Sequence, residues 1–173
     1  MFQIFDNTSS KTQSQRQAWL ALLARAPIPM IDEVIGSQSL PIQWLRKPET
    51  GLMMVQGRIG GSGERFNVGE VTVTRCALRI AHLSTASNEN DNLYVGISYI
   101  LGRSHKHARL AAIADALLQN PMQHDTIESI LLVPLRKHLG TLQSQRREKA
   151  QSTKVDFLTI AREASAEEES ATQ

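Results

Sequence analysis

Cysteine is almost missing from this 173-residue chain, and aromatic residues make up only 5% of it. The single Cys76 cannot close an internal disulfide, and alone it cannot hold an iron–sulfur cluster or a structural zinc. No stretch approaches the ~18 consecutive apolar residues of a membrane-spanning helix. The amino end, MFQIFDNTSSK, lacks the basic start and apolar run of a secretory signal, so the expected address is the cytoplasm, with no membrane partner. Metal-ligand spacing is absent too. His105 and His107 stand two apart on an expected helix and point to different faces, while His82, His124 and His138 are scattered. No G-x-S-x-G elbow is present, and Cys76 lies mid-strand, where a buried thiol is inert. Scarce aromatics and the lack of a dense basic stripe argue against nucleic acid.

What is present is a 41% hydrophobic fraction, enough for one core, and a net charge of +2. That charge is uneven. Residues 163–173 carry Glu163, Glu167, Glu168 and Glu169 with no Lys or Arg; without them 19 basic residues face 13 acidic ones, a balance of +6. Such a body suits anionic ligands or an acidic partner surface, and equally an ordinary solvated exterior.

The expected organisation is an extension over 1–11, one α+β domain over 12–163 and a disordered acidic tail over 164–173. Ala18, Trp19, Leu22 and Leu23 recur at helical spacing within 12–26, and Pro27 and Pro29 end that run. A short helix follows near 31–36. The period then changes to two, predicting about four strands over 42–47, 51–59, 70–81 and 93–101 in an antiparallel meander. In the last, Leu93, Val95, Ile97, Tyr99 and Leu101 form the alternating apolar set of a half-buried strand. In the third, Thr72, Thr74, Cys76, Leu78 and Ile80 share one face, and Val71, Val73, Arg75, Ala77 and Arg79 the other. Both faces are partly apolar, so one is expected to meet the chain's own helices and one another subunit. Residues 82–92 read as a polar hairpin loop. Ser104 should cap a helix with Leu110, Ile113, Ala114, Leu117 and Leu118 on its packed stripe, stopped by Asn120-Pro121. Helices over 125–132 and 135–150 come next. The apolar run at 154–160 implies docking on something.

Chemistry concentrates in residues 57–70, GRIGGSGERFNVGE, where Gly57, Gly60, Gly61, Gly63 and Gly69 accompany Arg58 and Arg65. Glycines let backbone N–H groups approach an anion, and guanidinium forks clamp phosphate or phosphonate oxygens. The segment has no P-loop Lys, and Phe66 stands where a dinucleotide fingerprint needs its third glycine. A tight hairpin turn, an anion site and an interface loop all fit it. Arg103 beside Ser104 at a helix start is a second anion candidate, and Arg75 a third basic one. Glu70, beside Thr72 and Thr74, is the one weak candidate for a catalytic base.

These residues resemble the PhnG subunits of the carbon–phosphorus lyase system. The run TGLMMVQGRIGGSGERFNVGEVTVTRCALRI over 50–80 is similar to the family's central signature. YILGRSHKHARLAAIADALLQ over 99–119 is similar to its second block, and RQAWLALLARAP (16–27) and TKVDFLTIARE (153–163) match in kind and order. The resemblance spans most of 14–163. It implies an accessory subunit of a phosphorus-group transferase, inactive alone, in which an alkylphosphonate displaces adenine from the ribose C1′ of ATP to give ribose 1-phosphonate 5-triphosphate. ATP would be the complex's co-substrate, with no cofactor held by this chain alone. The implied partners are other subunits in a symmetric heteromeric core, chiefly the nucleosidase-type subunit. The resemblance carries no catalytic residue onto this sequence. A purely structural assembly subunit and a free-standing binder of small anions or nucleotides are the alternatives.

Overall fold

The computed structural model describes residues 7–38, 40–81 and 93–155. The chain divides into two compact units at Gly140. The first contains α1 (Asn7–Leu23), α2 (Ile28–Ile35), β1 (Ile42–Arg58), β2 (Arg65–Ala81), β3 (Leu93–Leu101), α3 (His105–Leu118) and α4 (Pro121–Ile127). A π-type turn, Glu128–Leu132, then leads into α5 (Val133–Ser152). The described part of the second unit runs from Thr141, within α5, to Val155. The expected polar loop at 82–92, most of the apolar run at 154–160 and the acidic tail lie outside the described residues. Helix α1 begins at Asn7, inside the stretch expected to be an extension.

The fold is α+β, as the change of hydrophobic period predicts, but the sheet has three strands in the antiparallel order β1-β2-β3 rather than about four. The two segments expected at 42–47 and 51–59 are one continuous strand. Pro48 cannot donate to a ladder, yet β1 is an edge strand, and its pairing skips from Arg46↔Ala77 to Glu49↔Arg75 across a bulge that absorbs the proline. At the far end β2 starts at Arg65 rather than Glu70, which shortens the glycine-rich turn to the residues between the strands. Gly60 and Gly61 take positive φ there, +60° and +79°, the region glycine adopts without steric cost.

The core sits where helices cover the sheet. Helix α3 packs on β2 and β3, with α1 and α2 beside it. Ser104 caps α3 by accepting from the His107 N–H at 3.3 Å, and the whole expected stripe of Leu110, Ile113, Ala114, Leu117 and Leu118 is buried. Asn120 starts α4 by accepting from Met122 N–H, with Pro121 at the first helical position, where its missing donor costs nothing.

The strand face that meets α3 is not the alternating apolar set of β3. Gly96, Ser98 and Ile100 are buried against the helix, while Tyr99 and Leu101 are exposed. The reason is proximity. A Cβ at Gly96 would lie 1.9 Å from the Ala112 carbonyl oxygen, and Ser98 Oγ donates to Ala108 O at 2.7 Å. Only small residues fit that seam. On the opposite face Val95 and Ile97 are half-buried and Tyr99 and Leu101 are open.

Strands β1 and β2 are each 17 residues long, but β3 pairs only with Val73–Ala81 of β2. Residues 65–72 of β2 therefore have β1 as their sole sheet neighbour. At ~3.3 Å per residue this makes a two-stranded arm ~26 Å long.

Candidate functional site

The arm carries the glycine-rich segment at its end. Arg58 pairs with Arg65 in register across the last rung, and Gln56 with Asn67 on the rung before the next residue pair, so these four side chains share one face. Gln56 Nε2 donates to Asn67 Oδ1 at 3.2 Å. Gln56, Gly57, Arg58 and Arg65 line a cleft of about 330 Å³. The other face is apolar: Phe66 and Val68 lie over Gly57, where a Cβ would approach Val68 Cγ2 to 2.8 Å. Leu52, Met53, Met54, Ile59, Phe66 and Val68 are all exposed along the arm and its tip.

The remaining residues singled out from sequence lie elsewhere. Glu70 is exposed opposite Met54, five residues or ~17 Å along β2 from Arg65. Arg75, ~33 Å from Arg65 by the same rise, donates through Nε to Glu49 Oε1 at 2.6 Å, and Arg46 shares that carboxylate. Hydrogen bonds from Arg46 first and Arg75 second hold the Glu49 carboxyl below the usual range. Arg103 is exposed at the start of α3, next to Gly102, whose N–H donates to Thr72 O. The structure thus brings Arg58 and Arg65 together, with Gly60, Gly61 and Gly63 in the turn between them, and leaves Glu70, Arg75 and Arg103 at separate points along the sheet.

Cys76 is buried on the helix-facing side, and burial pushes its thiol up to about 11. It is held as a neutral thiol at ordinary pH. Among the described residues no group of three or more His, Cys, Asp or Glu could hold a metal ion, and no helix is long and apolar enough to cross a membrane.

Two clusters escaped the sequence reading. The Asp115 carboxylate, fully buried in the middle of α3, accepts from Arg16 Nε and Nη2, Trp19 Nε1 and the Ile97 backbone N–H at 2.7–3.2 Å. This ties α1, α3 and β3 together. Beside it opens a cavity of about 720 Å³, lined by Arg16, Trp19, Tyr94, Gln119, His124 and Asp125 among others. The signal was one acid inside the apolar run LAAIADALL. The second cluster is a relay. Thr74 Oγ1 donates to Gly102 O at 2.7 Å, so it accepts from Thr50 Oγ1 at 3.1 Å, and Thr50 in turn accepts from His105 Nε2 at 3.0 Å. That order makes Nε2 the protonated ring nitrogen of His105. The relay pins the base of the arm to the start of α3.

Compared with known proteins, residues 14–163 match the family model described as phosphonate metabolism protein PhnG. The chain belongs to the PhnG family. A PhnG relative from Rhizobium meliloti (strain 1021), named alpha-D-ribose 1-methylphosphonate 5-triphosphate synthase subunit PhnG, is 37% identical over 152 residues, which cover 86% of this chain and 90% of the relative. The matched region takes in the whole sheet, the arm and α1–α5 apart from the first turns of α1. Family membership accounts for the four sequence blocks occurring in order, and associates this chain with phosphonate metabolism.

Proposed function

We propose that this chain is a non-autonomous subunit of a heteromeric synthase in which an alkylphosphonate is transferred to the ribose C1′ of ATP with release of adenine, in the cytoplasm. The relative's name, a subunit of ribose 1-methylphosphonate 5-triphosphate synthase, supports the reaction class. The observation that carries the dependence on partners is the arm. A two-stranded hairpin is marginal in water by itself, and this one exposes Leu52, Met53, Met54, Phe66 and Val68. A projecting ribbon with apolar side chains on both faces gains stability when companion chains pack against it, and contiguous exposed apolar surface of this kind marks an interaction site. The nucleosidase-type subunit is the partner that would supply the ribosyl chemistry, with ATP as co-substrate.

The test is reconstitution. The other subunits, assayed for phosphonate-dependent adenine release with and without this chain, should need it; equal rates in both arms would refute the proposal. A second reading, a scaffold that touches no substrate, draws on the separation of Glu70 from the paired arginines. Arg65→Ala and Glu70→Ala separate the two: assembly kept with activity lost favours participation, and unchanged activity favours the scaffold.

A further inference from the structure

We infer that the polar face of the arm's tip is a binding site for a tetrahedral oxyanion, a phosphonate or the phosphoryl group of a nucleotide, gripped between Arg58 and Arg65. The first argument is electrostatic. Arg58 and Arg65 are directly opposite in an antiparallel pair, which sets their Cβ atoms ~4.5–5.5 Å apart, and like charges so placed repel. Among the described residues neither guanidinium has a carboxylate within ion-pair distance, whereas Arg16, Arg46, Arg75 and Arg136 each do. Glu64 is the neighbour in sequence and pairs with neither. An anion between the two forks turns that repulsion into two charge-assisted contacts.

The second argument is shape. The cleft of about 330 Å³ lies at the small end of the ~300–1,000 Å³ usual for ligand sites, room for a phosphonate or phosphoryl group. Gly57 lies between Gln56 and Arg58 at the cleft, and a side chain there would point away from it, into Val68 and Phe66 on the other face. Gln56 Nε2 donates to Asn67 Oδ1 at the inner end, which leaves the Asn67 amide N–H groups beside the two guanidiniums as donors. The third argument is placement. With the apolar back of the tip against a partner, the cationic front faces whatever that partner binds. The inference rests on the proposed function only for the origin of the anion; the site itself lies wholly within this chain.

The full-length chain is therefore titrated alone at low ionic strength, with the arginine Nε–H resonances followed by NMR. Methylphosphonate and tripolyphosphate are the probes and chloride, a monatomic anion, the control. The expected result is saturable shifts at Arg58 and Arg65 with methylphosphonate or tripolyphosphate, whichever binds more tightly naming the source. The R58Q/R65Q variant should weaken binding at least tenfold while its urea midpoint stays unchanged. R58K/R65K, which keeps charge but loses the forks, should fall between. No saturation by either probe overturns the inference, as does unchanged affinity in R58Q/R65Q or equal binding of chloride. Copurification with the other subunits is scored in parallel. If R58Q/R65Q alone fails to copurify, the arginines meet partner carboxylates and the anion site is refuted. If wild type itself fails to copurify, the proposed function falls while the titration still decides the site.

Discussion

The two ends of one sheet are built by opposite rules. At the covered end, β3 and α3 meet through Gly96, Ser98, Ala108 and Ala112, and a single buried acid, Asp115, gathers donors from a helix, an indole and a strand. At the projecting end, large apolar side chains face solvent on both sides and two arginines stand opposed. Small residues mark the closest helix–strand seam inside a core of Leu and Ile, while at the projecting end bulky apolar residues stay open. Hydrophobicity by itself finds the core of α3 but does not tell it from the exposed arm.

Changes at the covered end should be felt chiefly in stability. Asp115→Ala leaves the Arg16 guanidinium and the Trp19 and Ile97 N–H groups without their acceptor. Breaking a buried pair in this way costs ~3–5 kcal/mol, measurable by urea unfolding. A loss below ~1 kcal/mol would erase the contrast between the two ends. Gly96→Ala drives a methyl into the Ala112 carbonyl and should cost ~1–3 kcal/mol as helix and strand separate.

Alkaline pH probes the same end. The Cys76 thiol is raised from 9.0 to about 11 in the folded chain, so between those values the unfolded thiol ionises first. Stability from this group is complete below pH 9 and is lost as pH rises toward 11. Cys76→Ser should flatten that part of the stability curve, and wild type should resist thiol alkylation at neutral pH until denatured. At the arm, Phe66→Ser or Val68→Ser should move stability by no more than ~0.5 kcal/mol, yet sharply reduce retention of partner subunits in a pull-down. A large stability loss there would mean that the arm belongs to the core after all. Smallest of all, Glu49→Gln should leave the urea midpoint unmoved, since its bridges to Arg46 and Arg75 are exposed.

Much of the architecture was legible because its signals are local. The period of two over 93–101, the Ser104 cap and the Asn120-Pro121 stop each act within a few residues, and each corresponds to an observed element. Pro48 misled because its effect depends on whether a strand is an edge, which only the assembled sheet decides. Which face of β3 packs inward was equally hidden: Gly96 reads as a weak strand residue until α3 is laid against it. At the candidate site the grouping of Arg58 and Arg65 with the glycines was legible, but their pairing across the last rung was not, because Arg65 was placed in the turn rather than in β2. The distances of Glu70, Arg75 and Arg103 from that pair follow from strand length, which was underestimated when β2 was started at Glu70. Asp115 went unnoticed because its donors come from residues 16, 19 and 97, remote in the chain.

One irregularity of the hairpin sets where its end is aimed. Between Val55↔Gly69 and Gln56↔Asn67, β2 holds an unmatched residue, Val68, and such an insertion adds right-handed coil to the ribbon beyond it. Val68 is in effect a swivel between a shaft and its fingers. Deleting that one residue would leave the ribbon paired but rotate the two guanidiniums to a new bearing, so the orientation of the tip hangs on a single codon.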